Sequence, residues 1–199
     1  MGISQRRHKG ENMFLTQITV DTHTILANHL FDNYKWKKEL CKTIETDRTG
    51  RPSPRFRILE EESKVKVLLL TKENPKPLSW GMWETKHIPK EFYNYKQYEF
   101  NLRANPTFNK NGCRKGVKDL FNWIKNKGDF HGFKIIDVNI TPKGYQNNSK
   151  KNCPPHFAAE FKGVLEVVNP IKFKEAACMG IGSAKAFGFG VLLLKPLNK

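Results

Sequence analysis

The chain has 199 residues, 38% of them hydrophobic, which suffices for one large or two small folded domains and excludes a disordered tail. It carries 35 Lys and Arg against 19 Asp and Glu, and a formal net charge of +16 favours a polyanionic partner. The 14 Phe, 5 Tyr and 4 Trp favour nucleic acid over an anionic membrane, because aromatic rings stack on bases. No apolar run approaches the ~20 residues of a membrane span, so we expect no membrane partner. A structural, ribosome-like role is the alternative that charge alone leaves open.

The cysteines are scattered and form no CxxC pair: they are Cys41, Cys113, Cys153 and Cys178. This pattern predicts reduced thiols in a cytoplasmic protein, with neither a zinc site nor a disulfide frame. Residues 1–12 are basic, and no apolar stretch follows them, so we expect a basic N-terminal extension and no secretory signal.

Residues 13–90 predict a first unit of the type β-α-β-β. Its predicted elements are a strand over Phe14–Val20, a helix over Asn33–Lys42 with Asp32 as N-cap, and strands from Arg55 and Val65. Residues 72–92 are rich in Pro and Gly, which predicts a linker where a second helix would stand.

Residues 91–199 predict a second unit of the type β-α-β-β-α-β. Its strands are expected at Tyr98–Pro106, 133–140, 156–168 and 189–197, with polar loops at 107–116 and 141–155. Its first helix has an apolar stripe at Val117, Leu120, Phe121 and Ile124, and its second helix runs from Pro170 to Met179 after Asn169 as N-cap. The predicted fold class is α+β, with tandem ferredoxin-like (RRM-like) domains side by side.

The glycine-rich segment "MGIGSAKAFGFG" (Met179–Gly190) connects the last helix to the last strand. It lacks the GK[ST] of a P-loop, and its order of helix, loop and strand excludes a dinucleotide fingerprint. A helix C-cap explains Gly180 but not the three later glycines or Lys185. In so basic a chain, these features favour a cradle for a nucleic-acid backbone.

Four motifs in order then carry a resemblance: "FNLRANPT", "DLFNWIKNKGDFHGFKI", "FKGVLEVVNP" and "GIGSAKAFGFGVLLL". The chain resembles the repeat-processing endoribonucleases of CRISPR systems, in particular the CasE type of the type I-E Cascade complex. The resemblance implies tandem ferredoxin-like domains that bind the stem-loop of precursor CRISPR RNA and cleave at the 3′ base of the stem. It implies attack by the 2′-hydroxyl without metal or cofactor, and continued binding to the product beside other Cascade subunits, including the backbone subunit. Target DNA would be met only indirectly.

In that family a Tyr-x-x-His on the first helix supplies much of the chemistry, and the matching segment here reads Tyr34-Lys35-Trp36-Lys37. The resemblance therefore implies Tyr34 and Lys37 as catalytic residues, with a lysine where the histidine is usual. A lysine ammonium can donate a proton or stabilise a phosphorane, but it is a poor base. The alternatives are that Lys37 is a solvated surface lysine, that His29 substitutes, or that the chain binds the hairpin without cutting it. The other histidines lie in no motif that suggests catalysis.

The remaining predicted site residues would hold RNA. They are Lys35, Lys38, Arg103, Arg114, Lys115, Lys143, Lys150, Lys151, Gly180, Gly182, Ser183, Lys185, Gly188 and Gly190. A plain surface charge is the alternative for each cation, and capping of nearby carbonyls is a further alternative for Lys185. Phe187 and Phe189 are expected in the core of the last strand, not stacked on bases.

Overall fold

The computed structural model describes residues 12–45, 53–147, 149–151 and 154–197. The predicted extension over residues 1–12, apart from residue 12, lies outside the described residues, as does Cys153.

The first sheet is antiparallel with the strand order β2-β3-β1-β4. Its strands are β1 (Met13–Asp21), β2 (Arg55–Glu60), β3 (Lys64–Thr71) and β4 (Met82–Ile88), and its helices are α1 (Thr22–Ala27) and α2 (Asn33–Leu40). The strand order is that of a ferredoxin-like sheet, and the part of the chain described between β3 and β4 holds no helix.

Strand β4 corrects the prediction of a linker over residues 72–92. It pairs along β1, from Met13 opposite Ile88 to Thr19 opposite Met82. Most of its side chains are exposed, because an edge strand is held by backbone hydrogen bonds to one neighbour and requires few apolar residues. The surrounding Pro and Gly residues are typical of a linker, so the sequence did not predict this strand.

The second sheet repeats the arrangement with the order β10-β5-β9-β8, again antiparallel. Its strands are β5 (Gln97–Ala104), β8 (Phe133–Gln146), β9 (His156–Val167) and β10 (Leu192–Pro196), and its helices are α3 (Leu120–His131) and α4 (Pro170–Met179). The Asn169 side chain accepts a hydrogen bond from the Lys172 N–H at 3.1 Å, so the predicted N-cap of α4 is confirmed. Together the two sheets confirm the predicted fold class.

Two predictions in the second unit were wrong in detail. The expected loop over 107–116 is a hairpin of β6 (Thr107–Lys110) and β7 (Cys113–Gly116), turned by Asn111 and Gly112 at φ 52° and 77°. Helix α3 begins at Leu120, so Val117 precedes it, and the Phe121 side chain is 56% exposed. The rest of the predicted stripe is confirmed, since Ile124 is buried and Val117 and Leu120 pack against the same core, and Trp123 is buried there in place of Phe121.

Strand β8 also extends to Gln146, well into the expected loop over 141–155. It pairs with β9 to its end, where Gln146 lies opposite His156. Helix α2 ends at Leu40, two residues before the predicted boundary at Lys42.

Packed side chains and a buried ion pair join the two units. Met13 and Leu70 of the first sheet pack in one cluster with Ala177 and Cys178 of α4. The Arg57 guanidinium, 3% exposed, contacts the Glu160 carboxylate of β9 at 3.0 Å. These contacts hold the first sheet against α4 and β9 of the second unit.

Candidate functional site

Helix α2 presents Tyr34 and Lys37 to the second unit because its other face is buried. Trp36 and Leu40 are buried in the core of the first sheet. Asp32 caps the helix, accepting hydrogen bonds from the N–H groups of Tyr34 at 2.7 Å and Lys35 at 3.0 Å.

The Asp32 carboxylate also joins α2 to the β8–β9 connection. Its second oxygen accepts a hydrogen bond from the Ser149 N–H at 2.9 Å. Burial acts to raise the pKa of Asp32, but hydrogen bonds from Lys35, Ser149 and Tyr34 outweigh burial and hold this pKa below its usual value. The carboxylate therefore stays ionised and places Lys150, the next residue, beside the helix.

Four side chains meet around the ring of Phe187, and with it they form what we call the Phe187 cluster: Tyr34, Lys37, Lys150, His156 and Phe187. The Tyr34 ring stacks with the Phe187 ring at 6.4 Å, and the Lys37 Nζ lies 5.0 Å from the Phe187 centroid. The Lys150 Nζ lies 5.9 Å from the same centroid. The His156 ring is 5.0 Å from it. Tyr34 and Lys37 thus share one helix face, as their spacing predicts.

Phe187 is held in place by α2. It lies in a short 3₁₀ turn (Lys185–Phe187), and its carbonyl accepts a hydrogen bond from the Asn33 side-chain amide at 2.7 Å. The ring is half-buried and belongs to no strand, so its expected place in the core of the last strand was wrong. Phe189 is buried, as expected, but it precedes the last strand, which begins at Leu192 instead of residue 189.

The glycines of the segment Met179–Gly190 make close contacts within the protein. The Ile181 N–H donates to the Gly190 carbonyl at 2.8 Å, which closes the segment on itself. A Cβ on Gly190 would lie 2.6 Å from the Ile181 carbonyl oxygen, and one on Gly180 would lie 2.8 Å from the Gly190 oxygen. Side chains at Gly182 and Gly188 would meet Trp123 and Phe56. These contacts account for the glycines by packing, and the predicted approach to RNA stays a prediction.

A second feature, which we call the basic pocket, lies beside this segment and has a volume of about 360 Å³. Its lining residues are Thr107, Phe108, Asn109, Arg114, Lys127, His131, Gly182, Ser183 and Lys185. The lining includes three cations and no carboxylate, which suits an anion such as a phosphate. The Ser183 hydroxyl lies 3.0 Å from both the Thr107 hydroxyl and the Asn105 carbonyl oxygen, which ties the segment to the β6–β7 hairpin.

Burial and repulsion between cations set the charge in the basic pocket. Burial, and then Lys127 and Lys185, lower the pKa of His131 to about 4, so its imidazole is neutral at pH 7. Burial, followed by Arg55 and Lys127, also lowers the pKa of Lys185. A bound phosphate would relieve the repulsion among these groups.

The remaining predicted residues are more scattered. Arg103 lies on β5 with its guanidinium carbon 5.9 Å from the Phe189 centroid, and its buried Nε has no hydrogen-bond partner among the described residues. Lys35 is half-buried on α2; the exposed cations are Lys38, Lys115, Lys143 and Lys151. His29 precedes α2, and its ring packs edge-on against Phe31 at 5.9 Å.

The chain between residues 13 and 196 matches the family model described as CRISPR associated protein. It belongs to the CRISPR-associated protein family. Comparison with curated protein sequences gives no significant match.

Solved structures share the fold of this family member. CRISPR endoribonuclease Cse3 bound to a 19-nucleotide RNA superimposes with a TM-score of 0.78 at 24% identity, over 92% of this chain and 99% of that chain. Cas6e from Escherichia coli K-12 gives 0.71 at 20% identity, over 93% and 100% of the two chains. A chain of a CRISPR RNA-guided surveillance complex, pre-nicking, gives 0.70 at 16% identity, over 92% and 100%. In the described part of this chain, no helix has the length and apolar character to cross a membrane.

Among the ionisable residues of the Phe187 cluster and the basic pocket, three were not predicted from the sequence as site residues. Lys127 and His131 lie one helical turn apart on α3. This spacing is visible in the sequence, but no motif there indicates that the two residues have a function. His156 begins β9, and only the pairing of β9 with the rest of the second sheet brings it to the Phe187 cluster. No local motif marks it.

Proposed function

We propose that this protein binds the stem-loop of CRISPR repeat RNA, cleaves precursor CRISPR RNA at the 3′ base of the stem, and stays bound to the product. The observation that carries the proposal is the Phe187 cluster: Tyr34 and Lys37 face two further polar groups across one ring. The basic pocket supplies cations for the neighbouring phosphates. Arg114 links it to the Phe187 cluster, because it lines this pocket and its charge also lowers the pKa of His156.

The proposed reaction is attack of a 2′-hydroxyl on the adjacent phosphorus without a metal ion. It leaves a cyclic phosphate and a 5′-hydroxyl. The Lys37 ammonium donates a proton to the departing 5′-oxygen and stabilises charge on the phosphorane, while Tyr34 orients the reacting groups. Both act from a fixed helix, because the Asp32 cap and the buried Trp36 hold α2 in place.

RNA is held mainly through its phosphates and shape. A-form RNA hides its base edges in a deep, narrow groove, so cations that follow the backbone carry most of the affinity. Arg114 and Lys185 in the basic pocket suit the phosphates near the cut. The exposed Lys143 on β8 and Lys151 in the β8–β9 connection suit the stem.

The comparisons support this proposal through the fold. One matching protein is an endoribonuclease solved with RNA, and another matching chain belongs to an RNA-guided surveillance complex. We therefore propose a cytoplasmic subunit of a Cascade-type complex that contacts the backbone subunit and meets target DNA only through the assembly.

Lys37 favours a second candidate, a subunit that binds the hairpin but cleaves it slowly or not at all. The family motif implied by the sequence has histidine at this position, and a lysine cannot both accept and donate a proton near neutral pH as readily as an imidazole does.

The test is incubation of purified protein with repeat RNA from its own CRISPR array in EDTA. We expect one cut at the 3′ base of the stem, with a cyclic phosphate and a 5′-hydroxyl, and none when the nucleotide before the cut is 2′-deoxy. Tight binding of the hairpin without any cut would support the second candidate. Absence of both binding and cleavage would refute both.

A further inference from the structure

We propose that His156, from β9, is the proton acceptor for the attacking 2′-hydroxyl and so restores to this chain the imidazole that α2 lacks. The inference rests on the proposed cleavage function. It assigns the two proton transfers to two separate elements: acceptance to His156 on β9, and donation to Lys37 on α2.

The position of His156 carries this assignment. Its ring lies 5.0 Å from the Phe187 ring and 5.7 Å from the Phe189 ring, and it is half-buried, so part of it stays open to a ligand. The Lys37 Nζ lies 5.0 Å from the same Phe187 centroid, so the ammonium and the imidazole centre are at most about 10 Å apart. Both groups therefore border the same ring, and beside it we place the scissile phosphodiester.

The charges around His156 keep the imidazole ready to accept a proton. Burial, and then Arg114, lower its pKa below the usual value, so the ring is neutral at neutral pH. The charged groups on the described elements around it are Arg114 on β7, Lys37 on α2, Lys150 on the β8–β9 connection, and Arg103 on β5, over Phe189. The nearby carboxylates are engaged elsewhere: Asp32 caps α2, and Glu160 pairs with Arg57.

The step balances without another reagent. The 2′-O–H proton passes to the neutral imidazole of His156 as the 2′-oxygen forms its bond to phosphorus. The bond from phosphorus to the 5′-oxygen breaks, and that oxygen takes a proton from the Lys37 ammonium. The imidazolium then loses its proton to water and the Lys37 amine regains one, which restores both groups.

The first test measures the single-turnover cleavage rate and the RNA affinity of His156 variants. We expect His156→Gln to lower the rate by about 100-fold or more while hairpin affinity is kept, since a base supplies that order of rate enhancement. His156→Phe keeps a ring against Phe187 and Phe189, so it separates packing from proton transfer. Its cleavage rate should fall as far as that of His156→Gln. The exposed His87 on β4 gives the matched control, His87→Gln, which should cleave as the wild type does.

The second test identifies which proton His156 moves. A repeat RNA with sulfur in place of the bridging 5′-oxygen has a leaving group that needs no proton. This substrate should raise the cleavage rate of Lys37→Ala strongly, because only the proton donated by Lys37 becomes unnecessary, and it should leave His156→Gln slow. Added imidazole should raise the rate of His156→Ala.

The outcomes separate this inference from the proposed function. If wild-type protein cleaves its repeat RNA but His156→Gln and His156→Phe cleave equally fast, His156 has no catalytic role. Restoration of His156→Gln by the sulfur substrate would make His156 the proton donor and overturn its role as acceptor. If the wild type cleaves no repeat RNA under any of these conditions, the proposed function fails and this inference fails with it.

Discussion

His131 shows how burial decides the charge of a single residue in the basic pocket. Its pKa falls to about 4 through burial and through Lys127 and Lys185, so the cationic character of the basic pocket at pH 7 comes from lysine and arginine alone. The His131 imidazole is a neutral part of the lining at pH 7 and becomes charged only in acid.

The lowered pKa of His131 makes the free energy of unfolding depend on pH. An unfolded histidine titrates at about 6.5 and the folded one at about 4, so between these values the unfolded chain binds more protons. The free energy of unfolding should therefore fall as pH drops from 6.5 to 4, and His131→Gln should show a smaller fall. Thermal melting across this range checks it, with His87→Gln as the control. Curves for His131→Gln and wild type that run parallel would contradict it.

Gly190 shows how a single glycine closes the segment that positions Phe187. Its φ is 83°, and an added Cβ would lie 2.6 Å from the Ile181 carbonyl oxygen. Gly112 has a similar φ of 77° but no atom within 4 Å of such a Cβ. Gly112→Ala should therefore cost about 1 kcal/mol of left-handed strain, and Gly190→Ala clearly more, because it adds a backbone clash. Urea unfolding measures both, and equal losses would refute the packing explanation.

At the scale of elements, the N-terminus of α2 links secondary structure to the site. Asp32→Ala removes the cap and the contact with Ser149, whereas Asp119→Ala on α3 removes only the hydrogen bond from the Asn122 N–H. Each variant should lose about 1 kcal/mol of stability from capping.

Only Asp32→Ala should also slow cleavage, since it releases the connection that places Lys150 over Phe187. Urea unfolding and single-turnover cleavage of both variants check this. Equal cleavage rates in the two variants would mean that the contact with Ser149 does not support the site.

How much of each element could be predicted depended on where its signal lies. Strand β1 and helix α4 carry their own signals, an alternating pattern and an Asn169-Pro170 start. Edge strand β4 and the hairpin at Asn111-Gly112 were not predicted. An edge strand is held by backbone hydrogen bonds to one neighbour, and a short hairpin is set by its turn, so neither requires the apolar pattern that marks a strand in the sequence. Tyr34 and Lys37 could be paired from helical spacing, but His156 could not, because its place depends on the register of β9.

At the scale of the whole molecule, the Phe187 cluster exists only because the two units are held together. The buried pair of Arg57 and Glu160 spans them, and burial lowers the pKa of Arg57 to about 10 despite its partner. Its Nε and Nη1 have no hydrogen-bond partner among the described residues, so the guanidinium relies on Glu160.

Glu160→Ala should therefore cost about 3 to 5 kcal/mol, because it leaves a buried charge without its counter-ion. The exposed pair of Lys195 and Glu99 gives the control, and Glu99→Ala should cost less than about 1 kcal/mol. Urea unfolding of the two variants checks this. A Glu160→Ala variant as stable as Glu99→Ala would show that the pair does not hold the units together.

The most direct test of the catalytic role of the Phe187 cluster compares two neighbouring lysines of α2. Lys37 reaches the Phe187 ring, whereas Lys38 is exposed. With repeat RNA and saturating protein in EDTA, Lys37→Ala should lower the single-turnover cleavage rate by about 100-fold or more without loss of hairpin binding. Lys38→Ala removes a predicted RNA contact, so it should weaken hairpin binding, but at saturating protein it should keep the wild-type cleavage rate. A Lys37→Ala variant that cleaves as fast as Lys38→Ala would show that the chemistry lies outside the Phe187 cluster and would contradict the catalytic role of Lys37.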